Sequence, residues 1–207
     1  MMQNLIAAIL DGDVSRAVIE AKKLRNTKIK PERIIKEAFR EVITELDKKC
    51  TVEQFNLLEI MLAGRAILAV VRELYPKGIP SSQIKGIIVI GVLEGDIHDL
   101  GKNIVNILLT GRGYRVIDCG KDCPVEEMIN IAEKEGADAI FISGLISTVI
   151  PQVKRVKPLL AQRGLTNIKV VAGGGALKQS STKKLNVDFV AETVFNGLNY
   201  LNKIREV

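Results

Sequence analysis

The stretch GVLEGDIHDLGKNIV, Gly91 to Val105, holds the one histidine of a 207-residue chain that carries 30 Lys and Arg. Asp96 stands two residues before His98, and Asp99 directly follows it. An Asp at that spacing can accept a hydrogen bond from one ring nitrogen, which fixes the tautomer and leaves the other nitrogen as a metal ligand or base. Gly101 lets the backbone turn or approach a flat ligand closely. One imidazole cannot build an ordinary protein zinc or iron site, so a metal at His98 would have to bring its remaining ligands with it. His98 could equally be a helix N-terminal residue without a special role.

Two other stretches invite chemistry. SGLISTVIP follows the apolar run DAIFI, and AGGGAL follows IKVV. Three consecutive glycines, Gly173 to Gly175, remove side chains where a bulky group would need room. The G-x-G-x-x-G spacing of a dinucleotide fingerprint is missing from AGGGALKQSS, and a plain tight turn is the alternative.

The elements that must position these loops change character along the chain. The first 75 residues read at helical period. Leu5, Ile6, Ile9 and Leu10 make one stripe, and Val14, Ala17, Val18, Ala21 and Leu24 the next. Pro31 opens a third helix with Ile34, Ile35, Ala38, Phe39, Val42, Ile43 and Leu46 on its apolar side, and a fourth is expected from about Val52 to Leu74. Short connectors make this an antiparallel four-helix bundle. From Leu57 to Val71 the apolar residues spread around the helix, so it must be covered on more than one side. Either it is the central helix of the bundle, or one face meets a large ligand or a second domain.

YPKGIPSSQ, Tyr75 to Gln83, reads as the domain boundary. Beyond it GIIVIGV, RVID, DAIFIS, IKVVAG and VDFV are short strand-like runs alternating with helical stretches near Gly101–Thr110, Val125–Lys134, Thr148–Gln162 and Glu192–Ile204. That alternation predicts βαβ units and a doubly wound parallel sheet, an α/β fold. Ligands of such sheets bind at the carboxyl ends of strands, where all three loops lie. The expected division is a helical domain at 1–75, a linker at 76–83 and an α/β domain at 84–207.

Composition narrows the function classes. A net charge of +6 could suggest nucleic acid, but aromatics are 4%, Trp is absent, and the basic residues are interspersed with acidic ones as on solvated helix faces. Cys50, Cys119 and Cys123 make neither a disulfide framework nor a four-ligand zinc site, which points to a reducing cytoplasm. No basic leader precedes an apolar core, and LLEIMLAGRAILAVV is interrupted by Glu59 and Arg65, so no membrane span is expected.

GDIHDLGKNIV matches the D-x-H-x-x-G signature of cobalamin-binding domains, with SGLIST and AGGGAL following where that family has its S-x-L and G-G elements. The preceding bundle, including LLEIMLAGRAI, resembles the cap domain of the corrinoid proteins of anaerobic methyltransferase systems. A similar pair of modules occurs in cobalamin-dependent methionine synthase. The resemblance covers essentially the whole chain.

It implies a cobalamin or related cobamide as cofactor, with His98 as the axial cobalt ligand in place of the cofactor's own base and Asp96 bonded to the far side of the imidazole. Asp99 would flank the ligand, and Gly101 would make room for the displaced nucleotide tail. Ser143, Leu145 and Ser147 on the second loop, with Gly173 and Gly174 on the third, would line the slot for that tail. Met61 and Leu62, within Leu57 to Ala66, would cover the methyl-bearing face, and a hinge in Tyr75 to Gln83 would uncover it. The family position that carries a Ser or Thr hydroxyl near the Asp falls at Val149, with Thr148 and Ser147 as neighbouring hydroxyls. Asp188 is kept, but the small loop that usually follows its strand is replaced by VAETVF.

The implied activity is methyl carriage between a substrate-specific methyltransferase and an acceptor methyltransferase, with a reductive activator as third partner. The chain would be a corrinoid component of a multicomponent methyltransferase, not a complete enzyme. One alternative is a cobalamin-binding module for sensing or storage; another is a domain that binds a phosphorylated small molecule at the glycine loop.

Overall fold

A computed structural model describes residues 1–49 and 57–205. Cys50 and the expected beginning of the fourth helix, residues 52–56, lie outside the described residues. The chain divides into two compact units, one of residues 1–85 and 107–114, the other of residues 86–106 and 115–207.

The helical unit contains α1 (Met2–Leu10), α2 (Val14–Asn26), α3 (Pro31–Ile34), α4 (Arg40–Lys49) and α5 (Leu57–Leu74). Asp13 caps α2 by accepting from the Arg16 amide at 2.9 Å, which satisfies one of the donors a helix start leaves open. Pro31 opens α3 as expected, but a π-helical turn, Ile35–Phe39, separates α3 from α4. Ile34, Ala38, Phe39, Val42, Ile43 and Leu46 are nevertheless all buried. On α5 the buried set is wide: Ile60, Ala63, Ala66, Ile67, Val70, Val71 and Leu74. The spread of apolar residues read from the sequence is therefore largely that of a central helix.

Residues 107–114, the end of α6 (Leu100–Gly111) and the turn after it, belong to this helical unit. Glycines allow the close packing. A β-carbon on Gly64 would come within 2.8 Å of Ile107 Cγ2, and one on Gly111 within 2.8 Å of Ile67 Cγ2. Leu108 and Leu109 are buried beside them.

The segment Tyr75 to Gln83 is folded back on itself. Tyr75 Oη donates to Gln83 Oε1 at 2.7 Å, the Gly78 amide donates to the Tyr75 carbonyl at 2.9 Å, and Gln83 Nε2 donates to Glu32 Oε1. Tyr75→Phe removes the tie across the segment, and faster tryptic cleavage after Lys77 is expected. A cleavage time course matching wild type would show that the tie does not restrain the loop.

In the second unit β1 (Ile87–Val92), β2 (Arg115–Asp118), β3 (Ala139–Ser143), β4 (Lys169–Gly173) and β5 (Phe189–Ala191) form one sheet in the order β2-β1-β3-β4-β5. All pairs are parallel, with Ile88 opposite both Val116 and Ala139, Ile140 opposite Val170, and Ala172 opposite Val190. The central strands are buried at most positions, as covering helices on both faces require. The covering helices are α7 (Val125–Glu135), α8 (Ile150–Gln162), the short α9 (Thr182–Leu185) and α10 (Val194–Arg205), with the first part of α6. Strand order reverses between β1 and β3. The crevice beyond their carboxyl ends is where such sheets bind ligands, and the loops after β1 and β3 are neighbours there.

Candidate functional site

β1 ends at Val92 and α6 begins at Leu100, so Leu93 to Asp99 form the intervening loop. It is held from both sides. Toward β2, Leu93 forms a parallel bridge with Cys123, the Glu94 amide donates to the Cys123 carbonyl at 2.9 Å, and the Asp122 amide donates to the Asp96 carbonyl at 3.1 Å. The Gly95 amide donates to Asp122 Oδ1 at 2.8 Å. Toward β3, Thr148 Oγ1 donates to the Gly95 carbonyl at 3.1 Å.

The Asp96 carboxylate lies inside this frame, 1% exposed. Oδ1 accepts from the His98 amide at 2.9 Å and faces His98 Nδ1 at 2.7 Å. Oδ2 accepts from the amides of Leu145 at 2.7 Å and Ile146 at 3.3 Å. Burial alone would push this carboxyl up, but the hydrogen bonds from His98, Leu145 and Ile146 outweigh it and hold the group below the ordinary aspartate value. An ionised Asp96 only accepts, so Nδ1 carries a proton, and in the neutral ring Nε2 is the nitrogen with the lone pair. The His98 side chain is 50% exposed, and among the described residues only its Nδ1 has a hydrogen-bond partner. Ile97 and Leu100, close to His98 in the chain, and Leu145 and Ile146, whose amides donate to Asp96, are large apolar residues that are also exposed.

The loops after β3 and β4 meet backbone to backbone. The Gly144 amide donates to the Gly173 carbonyl at 2.9 Å and the Ala176 amide to the Gly144 carbonyl at 3.2 Å. Gly174 sits at φ +104°, and a β-carbon there would lie 2.5 Å from the Gly144 oxygen. Only glycine fits both the conformation and the contact. Next to this junction an open groove of about 560 Å³ is lined by Leu145, Ser147, Ile150, Gly175, Ala176, Gln179 and Ser180.

The residues singled out from the sequence are thus partly assembled. Asp96, His98 and Leu145 are joined by hydrogen bonds, and Leu145 and Ser147 share the groove. Gly101 approaches Ser143: a β-carbon at Gly101 would be 3.4 Å from the serine Oγ. Asp99 opens α6, its carbonyl accepting from the Asn103 amide at 2.9 Å. Gly173 and Gly174 form the junction beside the groove and are not among its lining residues. Met61 and Leu62 lie on α5 of the helical unit, Met61 36% exposed and Leu62 half-buried with its Cβ against Gly12.

Val149 is fully buried and packs toward Gly144. Neither neighbouring hydroxyl replaces the one it lacks: Thr148 bonds the Gly95 carbonyl, and backbone amides take the second Asp96 oxygen. Asp188 secures the sheet, accepting from the Val170 amide and from Lys157 Nζ, each at 2.8 Å.

Sequence reasoning missed Lys102, which is 2% exposed and pairs with Asp118 and with Asn103 Oδ1. Its signal was present, since a lysine directly after Gly101 in the first turn of α6 must either find an acid or reach solvent. Among the described residues no group of three or more His, Cys, Asp and Glu could hold a metal ion. No helix among them is long and apolar enough to cross a membrane.

Two family models, each described as a B12 binding domain, match residues 86–196 and residues 1–75. A dimethylamine corrinoid protein of Methanosarcina barkeri is 33% identical over 213 residues, covering 100% of this chain and 97% of that protein. Dimethylamine corrinoid protein 1 of Methanosarcina acetivorans is 33% identical over 196 residues, covering 93% of this chain and 91% of that one. Among solved structures, the methanol:cobalamin methyltransferase complex of Methanosarcina barkeri matches with a TM-score of 0.82 at 26% identity, covering 98% of this chain and 78% of that chain. A cobalamin-binding protein from Desulfitobacterium hafniense shares the fold, with a TM-score of 0.81 at 21% identity over 98% of each chain. Two family models that together span most of the chain, and relatives 33% identical along 93–100% of it, identify a member of the B12-binding family whose cofactor is a cobalamin-type corrinoid.

Proposed function

We propose that this chain is a corrinoid methyl carrier that holds its cofactor with the cofactor's own base displaced and His98 Nε2 in its place. The observation that carries the reading is the Asp96–His98 pair, because a carboxylate fixed by four hydrogen bonds dictates which ring nitrogen is free. The surroundings suit a flat, largely apolar macrocycle. Ile97, Leu100, Leu145 and Ile146 are exposed near the imidazole in the chain or through Asp96, and the groove along Leu145, Ser147 and Gly175 offers about 560 Å³ for a nucleotide tail.

When bound, the corrin's cobalt supplies the methyl-accepting and methyl-donating chemistry. The chain's own residues bind and orient. Asp96 keeps the proton on Nδ1 and the ring in one orientation. Asp99 starts the helix that follows the ligand, while Gly101 and Ser143 keep small groups beside it. Gly173 and Gly174 hold the two loops at the spacing that leaves the groove open. In the helical unit, Met61 and Leu62 are assigned to cover the reactive group.

Relatives described as dimethylamine corrinoid proteins, and a neighbour solved as a methanol:cobalamin methyltransferase complex, support partnership with methyltransferases; we assign one substrate-specific partner to load the methyl group and one acceptor partner to unload it. We assign a reductive activator as a third partner. The free Cys119 and Cys123 suit a reducing cytoplasm, where we place the protein.

The test is cobalt retained after apo-protein is incubated with hydroxocobalamin and desalted, with the Co(II) EPR spectrum of wild type and of His98→Ala. Near-stoichiometric retention with nitrogen hyperfine structure is expected for wild type. The variant is expected to lose that structure and at least about tenfold in affinity. No retention by wild type would end the cobalamin reading. Retention without exchange of a methyl group with any partner methyltransferase would instead favour a storage or sensing module.

A further inference from the structure

We propose that Cys119 and Cys123 form a reversible dithiol–disulfide site on the loop that braces the His98 segment. The site takes a small disulfide as oxidant and a small thiol as reductant.

The register of the sheet edge places the two residues together. β1 and β2 pair with Ile90 opposite Asp118. An uninterrupted ladder would put residue 93 opposite residue 121, but Leu93 bridges Cys123. Two extra residues are therefore accommodated between Cys119 and Cys123, in a turn with positive φ at Gly120 and Asp122. On either side of that turn the backbone returns to β1: the Cys119 amide donates to the Ile90 carbonyl at 2.8 Å and the Cys123 amide to the Val92 carbonyl at 2.9 Å.

The anchors are two residues apart on one strand, a separation of roughly 6.6 Å, within the roughly 4.4–6.8 Å between α-carbons that a disulfide spans. Positions two apart also share a face of the sheet, so the thiols project to the same side. The Cys123 thiol donates to the Pro124 carbonyl at 3.5 Å. Cys123 is 3% exposed and Cys119 half-buried, so Cys119 is the sulfur a small molecule meets.

The chemistry balances as two exchanges. Cys119, the accessible sulfur, gives its proton to solvent as it attacks one sulfur of the oxidant, forming a mixed disulfide and expelling a thiolate. That thiolate takes the Cys123 proton and leaves as a thiol. The Cys123 thiolate then attacks the Cys119 sulfur, forming the internal disulfide and releasing a second thiolate, which takes up the proton lost by Cys119. Two cysteine thiols are oxidised and one small disulfide is reduced to two thiols.

The consequence reaches the candidate site through the turn itself. Asp122 bonds the Asp96 carbonyl and the Gly95 amide, and Cys123 accepts from Glu94. Closing a ring over residues 119–123 stiffens the support of the loop that presents His98. Its effect on the corrinoid rests on the function proposed above, but the disulfide does not.

The experiment uses the full-length apo-protein with oxidised glutathione. Lys121 lies between the two cysteines, so trypsin yields VIDCGK and DCPVEEMINIAEK as separate peptides from the reduced chain. The expected result is a linked pair 2 Da below the sum of the two, lost on reduction and absent in Cys119→Ser. Amide exchange at Glu94 and Gly95 is expected to slow by at least about tenfold in the oxidised protein. Failure to form the linked pair, or its formation only with Cys50, overturns the site. A linked pair with unchanged exchange at Glu94 and Gly95 overturns its bracing role. Neither outcome depends on cobalt binding.

Discussion

Gly174→Ala is expected to destabilise the α/β unit by about 3–5 kcal/mol, far more than a glycine-to-alanine change usually costs. Two effects combine. At φ +104° an alanine is strained by roughly 1–2 kcal/mol. Its β-carbon would also lie 2.5 Å from the oxygen and 2.9 Å from the nitrogen of Gly144, and these backbone atoms cannot yield easily. Gly144 is held by the Gly173 carbonyl on one side and the Ala176 amide on the other, so relief means breaking one or both bonds at about 1 kcal/mol or more each. Gly120→Ala is the matched control: φ is +80°, but nothing lies within 4 Å of the added carbon. It should cost only about 1–2 kcal/mol. Urea denaturation of both variants decides the matter, and equal losses would refute the backbone collision at Gly174.

Asp96→Ala is expected to cost about 3–5 kcal/mol, because it strands four donors at once: the amides of His98, Leu145 and Ile146 and the ring N–H of His98. Asp96→Asn is the more informative change. Its shape fits, but its NH₂ group must face one of the two donor pairs. Facing His98, it donates to Nδ1, drives the proton to Nε2 and removes the lone pair the proposed ligand needs. The chain has a single histidine, so ¹⁵N imidazole NMR reads one residue without assignment. Wild type should show Nδ1 protonated and Nε2 bare. The asparagine variant should shift toward the opposite tautomer, with a weakened nitrogen signature in the corrinoid EPR. An unchanged tautomer together with unprotected Leu145 and Ile146 amides would mean the NH₂ group faces those amides; an unchanged tautomer with them still protected would mean that the side chain does not set the ring.

Much of the α/β unit was legible because parallel strands buried on both faces must be apolar runs, and all five runs became strands. The D-x-H-x-x-G spacing likewise foretold the Asp96–His98 bond. What escaped the sequence has a common cause. The other two donors to Asp96 are backbone amides of Leu145 and Ile146, and an amide leaves no mark on residue type. The groove beyond Leu145 and Ser147 is completed by Gly175, Ala176, Gln179 and Ser180, whose roles depend on the path of a loop, not on periodicity. The extra residues between Cys119 and Cys123 became visible only once strand register was known. In the helical unit, the stripes of α1 to α4 were clear, but the π turn at Ile35–Phe39 and the membership of residues 107–114 were not. Leu108 and Leu109 continue a helix whose first half serves the other unit, and local pattern cannot tell which neighbours a helix has.

The discontinuity of the helical unit also sets an order of events during synthesis. Its first 85 residues are synthesised before Leu108 and Leu109 exist, and Gly64 and Ile67 must wait for the segment that packs on them. At about 5–20 residues per second, the roughly 30 residues from Lys85 to Tyr114 take about 1.5–6 s to add. During that interval Gly64 and Ile67 of α5 have no Ile107 or Gly111 to pack against. The first β-strand is translated within the same interval, before its sheet partners, so the two units are built as interleaved and not successive tasks.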